Sequence, residues 1–191
     1  MPSQTSAIAL ASANQGGAGT PWSNESNALT ADNTYADVVL DNGIGGPDSE
    51  VLAIYNFGFS VTGTVTHVEV TVQRKSNNAE VQDLTLRLFT DGVGLEGNDL
   101  ADTVTNWPTT EGGATYGGLI ALWNATSSPS YYNSSNWGIG IAAHFNGALT
   151  DTGYIDNLSI TITYDPPLDP PMFPHTRPVQ KTRRQTRVVS F

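Results

Sequence analysis

Apolar residues recur at every second position through four stretches of this chain, and helical spacing is almost absent. In residues 64–73, TVTHVEVTVQ, Val68, Val70 and Val72 share one face with Thr64 and Thr66, while His67, Glu69, Thr71 and Gln73 point the other way. An extended chain turns successive side chains to opposite faces, so this is the pattern of a strand buried on one side. In residues 80–89, EVQDLTLRLF, the inward set reads Leu84, Leu86 and Leu88 against Asp83, Thr85 and Arg87. Residues 136–145 gather Trp137, Ile139, Ile141, Ala143 and Phe145 on one face. Residues 153–164 gather Tyr154, Leu158, Ile160, Ile162 and Tyr164, with Ser159, Thr161 and Thr163 opposite.

Further candidate strands are 35–40, 51–59 and 114–123. The stretches between them, DNGIGGPDS, FTDGVGLEGND and NATSSPSYYNSS, are rich in the Gly, Asn and Ser of turns. Seven to nine strands with one apolar face each, in about 150 residues, predict two antiparallel sheets packed face to face: an all-β fold, an antiparallel β-sandwich of the jelly-roll kind. Charged residues are only 14% of the chain, well below the usual share of about a quarter, so the outward faces must be kept wet by Ser, Thr and Asn. With no cysteine, disulfides and thiolate zinc sites are excluded. No run is apolar enough to cross a membrane and the first residues lack a basic leader, so no membrane partner is expected.

Charge divides the chain at Tyr164. Residues 1–164 hold sixteen acids against three basic residues, a net −13, whereas residues 165–191 hold Arg177, Lys181, Arg183, Arg184 and Arg187 against two acids, a net +3. Six prolines among residues 165–178 remove backbone donors and fix φ, so this part is expected to be an extended spacer. The end of the chain carries Val188, Val189 and Phe191 as apolar anchors. The expected organisation is therefore a flexible N-terminal segment at 1–20, a body at 21–164 and a proline-rich basic C-terminal arm at 165–191.

A catalytic constellation is not legible. His67 lies mid-strand among polar neighbours, His144 near a strand end and His175 in the proline stretch, with no nucleophile elbow or metal-ligand spacing. The loop at 91–99 concentrates oxygen ligands (Asp91, Glu96, Asn98, Asp99) but without the ordered spacing of a calcium loop, and reads as a glycine-rich hairpin. Neither GIGGPD nor GLEGND leads from a strand into a helix, so a nucleotide loop is not expected. The chain is expected to be no enzyme and to need no cofactor or metal.

The order of motifs carries a resemblance. WSNESNA at 22–28, NFGFSVTGTVTHVEVTV at 56–72, VQDLTLRLF at 81–89, NWPTT at 106–110, TYGGLIALW at 115–123, NSSNWGIGI at 133–141 and YIDNLSITITY at 154–164 together resemble the jelly-roll module of tailed-phage virion proteins and some bacterial surface proteins. The resemblance covers about three-quarters of the chain and leaves out the tail. It implies a virion structural protein, a capsid decoration or cement protein on the capsid surface. Its partners would be the major capsid protein or other virion subunits, and it would form a homo-oligomer, a trimer, tied by the arm residues Arg177, Lys181, Arg183, Arg184, Arg187, Val188, Val189 and Phe191. The alternative it implies is a carbohydrate- or receptor-binding module of a phage fibre or surface protein, with Tyr116, Trp123, Tyr131 and Tyr132 as glycan-facing aromatics. Nucleic acid is not an expected partner, because an acidic body repels a polyanion.

Overall fold

A computed structural model describes residues 1–6, 9–43, 45–118 and 122–167. Among them are ten strands: β1 (Ser3–Ser6), β2 (Ala11–Gln15), β3 (Ala36–Asp41), β4 (Val51–Tyr55), β5 (Thr64–Ser76), β6 (Val81–Thr90), β7 (Gly94–Glu96), β8 (Gly112–Tyr116), β9 (Trp137–Phe145) and β10 (Thr150–Asp165). A 3₁₀ turn at Glu25–Ala28 and a single helical turn, α1 (Pro129–Tyr132), complete the regular structure. The first sheet has the order β1-β10-β5-β8, with β3 also paired to β10; the second has the order β2-β4-β9-β6-β7. Every strand pairing within the sheets is antiparallel. The chain changes sheet at each step except the β6–β7 hairpin, so the two sheets form one antiparallel β-sandwich around a shared core.

The core is what the alternation asked for. Val68, Val70 and Val72 of β5 and Leu158, Ile160 and Ile162 of β10 face Leu86 and Leu88 of β6 and Ile139 and Ile141 of β9, all essentially solvent-free. β9 is covered on both sides. A Cβ on Gly138 would lie 2.1 Å from the Ile54 carbonyl oxygen, so only glycine lets β4 run this close.

Three irregularities shift the phase of the alternation and correct the sequence expectation. On β5, Thr66 is left unpaired between His67↔Thr163 and Val65↔Tyr164, so Val65, and neither Thr64 nor Thr66, takes the inward position. On β6, Leu84 is extra between Asp83↔Ala143 and Thr85↔Ala142; Leu84 is turned out, 39% exposed, and Asp83 is turned into the core. On β10, Asp156 bulges between Ile155↔Arg74 and Asn157↔Gln73, so Gly153 and Ile155 face inward and Tyr154 lies on the outer face. A bulge sets two residues against one, and every side chain beyond it changes face.

Three boundaries also move. Residues 1–20, expected to be a flexible segment, include β1 on β10 and β2 on β4, so they border both sheets. The stretch 51–59 stops as a strand at Tyr55, because Asn56 and Gly58 adopt left-handed φ values of 65° and 68°. Of the stretch 114–123, the described residues are strand only to Tyr116.

Candidate functional site

The densest chemistry lies between the sheets. Continuing the inward phase of Val68, Val70 and Val72 places Arg74 in the core, and the Leu84 bulge places Asp83 opposite it. The Arg74 guanidinium pairs with Asp83 Oδ1, which also accepts from Trp107 Nε1 at 2.9 Å. Asp83 Oδ2 accepts from the Tyr116 hydroxyl at 2.7 Å and from the Asp102 backbone N–H at 2.9 Å. The guanidinium also lies over the Trp107 and Tyr116 rings, 5.2 and 5.6 Å from their centroids. Four donors on one carboxylate compensate its loss of water, as a buried charge requires. Burial, then the Asp83 charge, pushes the Tyr116 phenol far up, so it stays a donor. The cluster is sealed from solvent and ties one sheet to the other.

The aromatics expected to face a glycan are mostly part of this interior. Tyr116 is spent on Asp83. Trp123 is fully buried with Nε1 donating to the Val68 carbonyl at 3.0 Å, and Gly117, at φ 96°, is pressed against it. Tyr132 is buried and donates to the Thr126 carbonyl at 2.6 Å. Tyr131 alone keeps partial exposure, with its hydroxyl on Glu96 Oε2 at 2.8 Å and burial pushing its pKa up to about 12. Tyr131, Tyr132 and Phe59 pack edge-on around Trp137, whose centroid lies 5.0 Å from that of Tyr132. These rings fill the end of the sandwich and leave no flat platform there. All four tryptophans are buried.

Accessible aromatics sit elsewhere, on the outer face of the first sheet. Tyr154, turned out by the Asp156 bulge, meets Tyr35 edge-on at 5.7 Å, and Lys75 Nζ lies 3.9 Å above the Tyr35 ring. The hydrogen bond of Tyr35 to Glu111, with burial, raises the Tyr35 pKa. This cluster is not legible in the sequence: the spacing puts Tyr154 inward, and Tyr35, expected to open a strand at 35–40, lies just before β3. The Arg74 position was legible, since it continues a clean alternation; its partner Asp83 was not, because a bulge is needed to bring it in.

The remaining candidates are occupied locally. In the 91–99 loop, Glu96 accepts from Thr90 and Tyr131, while Asp99 accepts from the Thr85 hydroxyl and from the Leu86 and Ala101 amides. These oxygens serve separate donors rather than one centre, and among the described residues no group of three or more His, Asp or Glu side chains is placed to hold a metal ion. His144 Nδ1 meets Asp48 at 2.6 Å, and His67 is half-buried on the outer face of β5. No helix among the described residues is long and apolar enough to cross a membrane. His175 and all the arm residues, Arg177, Lys181, Arg183, Arg184, Arg187, Val188, Val189 and Phe191, lie outside the described residues.

Where the arm begins is described. β10 ends at Asp165 beside Thr64, and Tyr164 N–H donates to the Pro2 carbonyl at 3.1 Å, so residues 1–3 and 164–167 share one end of the sandwich. The chain matches no protein-family model and has no significant match among curated proteins.

Proposed function

We propose that the chain is a virion structural protein, a capsid decoration or cement subunit of tailed-phage type, displayed as a trimer and tied to its neighbours by residues 165–191. The observation that carries this reading is electrostatic. Each of the three cations of the body is engaged within it: Arg74 on Asp83, Arg87 on the Gly97 carbonyl at 2.7 Å, and Lys75 above Tyr35. The body therefore offers an acidic exterior, and the chain's own basic segment is its complement. An acidic body also disfavours nucleic acid as the partner.

The strand order supports the jelly-roll reading. Setting aside β1 and β2, the sheets run β3-β10-β5-β8 and β4-β9-β6-β7, the arrangement produced when one long hairpin of paired strands is rolled into two four-stranded sheets. Such a body buries its apolar faces internally and leaves polar outer faces for display. No residue is assigned a catalytic role and no cofactor is invoked.

A second reading, a glycan- or receptor-binding module of a fibre or surface protein, is favoured by one feature, the outward pair Tyr35 and Tyr154. Immunogold labelling of intact particles with an antibody against the full chain separates the two. Label over the capsid is expected; label confined to fibres would support the second reading, and unlabelled particles would overturn both.

A further inference from the structure

We propose that the outer edge of β8 is the seat of residues 187–191 of a second copy of this chain, added there as one more strand of the first sheet. The inference rests on the arm reading above and names the arm's partner and place. β8 pairs with β5 on one side, and among the described residues no backbone hydrogen bond joins it to anything on the other. The competing edges are shorter or covered. β1 has four residues and β7 three. β3 is met by Ser23, which exchanges two backbone bonds with Asp37 at 2.8 and 3.0 Å. β2 is met by Trp22, whose backbone is clasped by the Asn14 side chain.

An unpaired edge is a template for another chain, and proteins ordinarily blunt it with lysine, proline or a bulge. β8, Gly112-Gly113-Ala114-Thr115-Tyr116, has none of these, and Gly113 and Thr115 are exposed. Strand addition of this kind takes affinity from main-chain bonds and specificity from alternate side chains.

Residues 187–191, Arg-Val-Val-Ser-Phe, supply two adjacent β-branched residues, and in an extended chain Val189 and Phe191 share one face; Arg183 and Arg184 precede them. The partner is a second copy on grounds of reach and charge: in polyproline geometry residues 165–178 would span about 43 Å, enough to meet a neighbouring body, and each copy presents the same acidic exterior to a basic segment.

The chain has no cysteine, so introduced ones report cleanly. Full-length T115C protein is mixed with full-length V188C, V189C or S190C protein at a concentration where native mass exceeds that of a monomer, then oxidised and resolved without reductant. Adjacent strand residues point to opposite faces. The heterodimer yield should therefore alternate: Val188 and Ser190 positions alike, Val189 different by several-fold. G113C, on the same face of β8, replaces T115C if the latter loses its near-ultraviolet signal. Equal yields at all three positions, or no heterodimer, would overturn the β8 seat, as would a protein monomeric at every concentration. If heterodimers fail but deleting residues 183–191 still lowers native mass, the arm reading survives and only its seat is wrong; if that deletion changes neither native mass nor attachment to particles, the arm reading fails with it.

Discussion

Arg74 and Lys75 are chain neighbours of the same charge, and they meet opposite surroundings. Arg74 is 4% exposed, held between the sheets by Asp83 and two aromatic rings; Lys75 lies on the outer face above Tyr35 and Tyr154. Both are cations stacked on aromatic rings, but only Arg74 has given up its water. A buried charge is tolerated where its partner is complete, and its partner here takes four donors from three segments: β5, the loop before β8, and β8 itself. Removing part of that set leaves the rest uncompensated. An exposed cation over a ring gains little and risks little, because water replaces whatever is lost.

The largest effect should come from breaking the inner pair. Asp83→Ala strands the guanidinium together with the Trp107 and Tyr116 donors, and should cost about 3–5 kcal/mol in urea unfolding. The double variant R74M/D83L should recover most of that loss, because replacing a whole buried pair by apolar residues is often close to neutral. A single-variant cost below about 1 kcal/mol would mean that the pair is not sealed.

Lys75→Ala probes the outer face and should cost only about 0.5–1 kcal/mol. Added salt should shrink this difference more than it shrinks that of D83A. If the two variants respond alike, the contrast between the two faces fails.

The smallest effect belongs to Asp156, the bulge that turned Tyr154 outward. Burial raises its pKa above 3.8, outweighing the amides of Asp32 and Asn33, which both donate to Oδ1. A carboxyl with a raised folded-state pKa contributes its full stability while protonated in both states and loses it as pH rises through the folded value. Asp156→Asn keeps an oxygen for both amides and removes the charge. It should match the parent below about pH 3.8 and become slightly more stable than the parent as pH rises toward neutrality. Denaturation midpoints across that range check the sign; a variant weaker at neutral pH would show that the charge itself is wanted.

The all-β, two-sheet class of the fold was legible because alternation is a local property. Val68, Val70 and Val72, Leu86 and Leu88, Ile139 and Ile141, and Leu158, Ile160 and Ile162 lie inward as their spacing required, and the spacing even carried Arg74 inside. The tryptophans were legible as core for a similar reason, since rings of that size in a short sandwich have few other places to go. The glycan-facing set was misplaced. Tyr116 and Trp123 each found a buried acceptor, Asp83 and Val68, from other segments of the chain, and Tyr132 turned inward onto the nearby Thr126 carbonyl.

The sequence by itself determined the period of each strand, the two-sheet class and the split between an acidic body and a basic tail, because all three depend on residues close together in the chain. The tertiary structure decided the phase. At Thr66, Leu84 and Asp156 one extra residue moves the inward set from odd to even positions or back. Whether a strand bulges depends on which partner it must stay in register with, which no local pattern records. Those shifts put Asp83 opposite Arg74 and Tyr154 beside Tyr35, and so set which charges and rings are sealed in and which lie on the outer face.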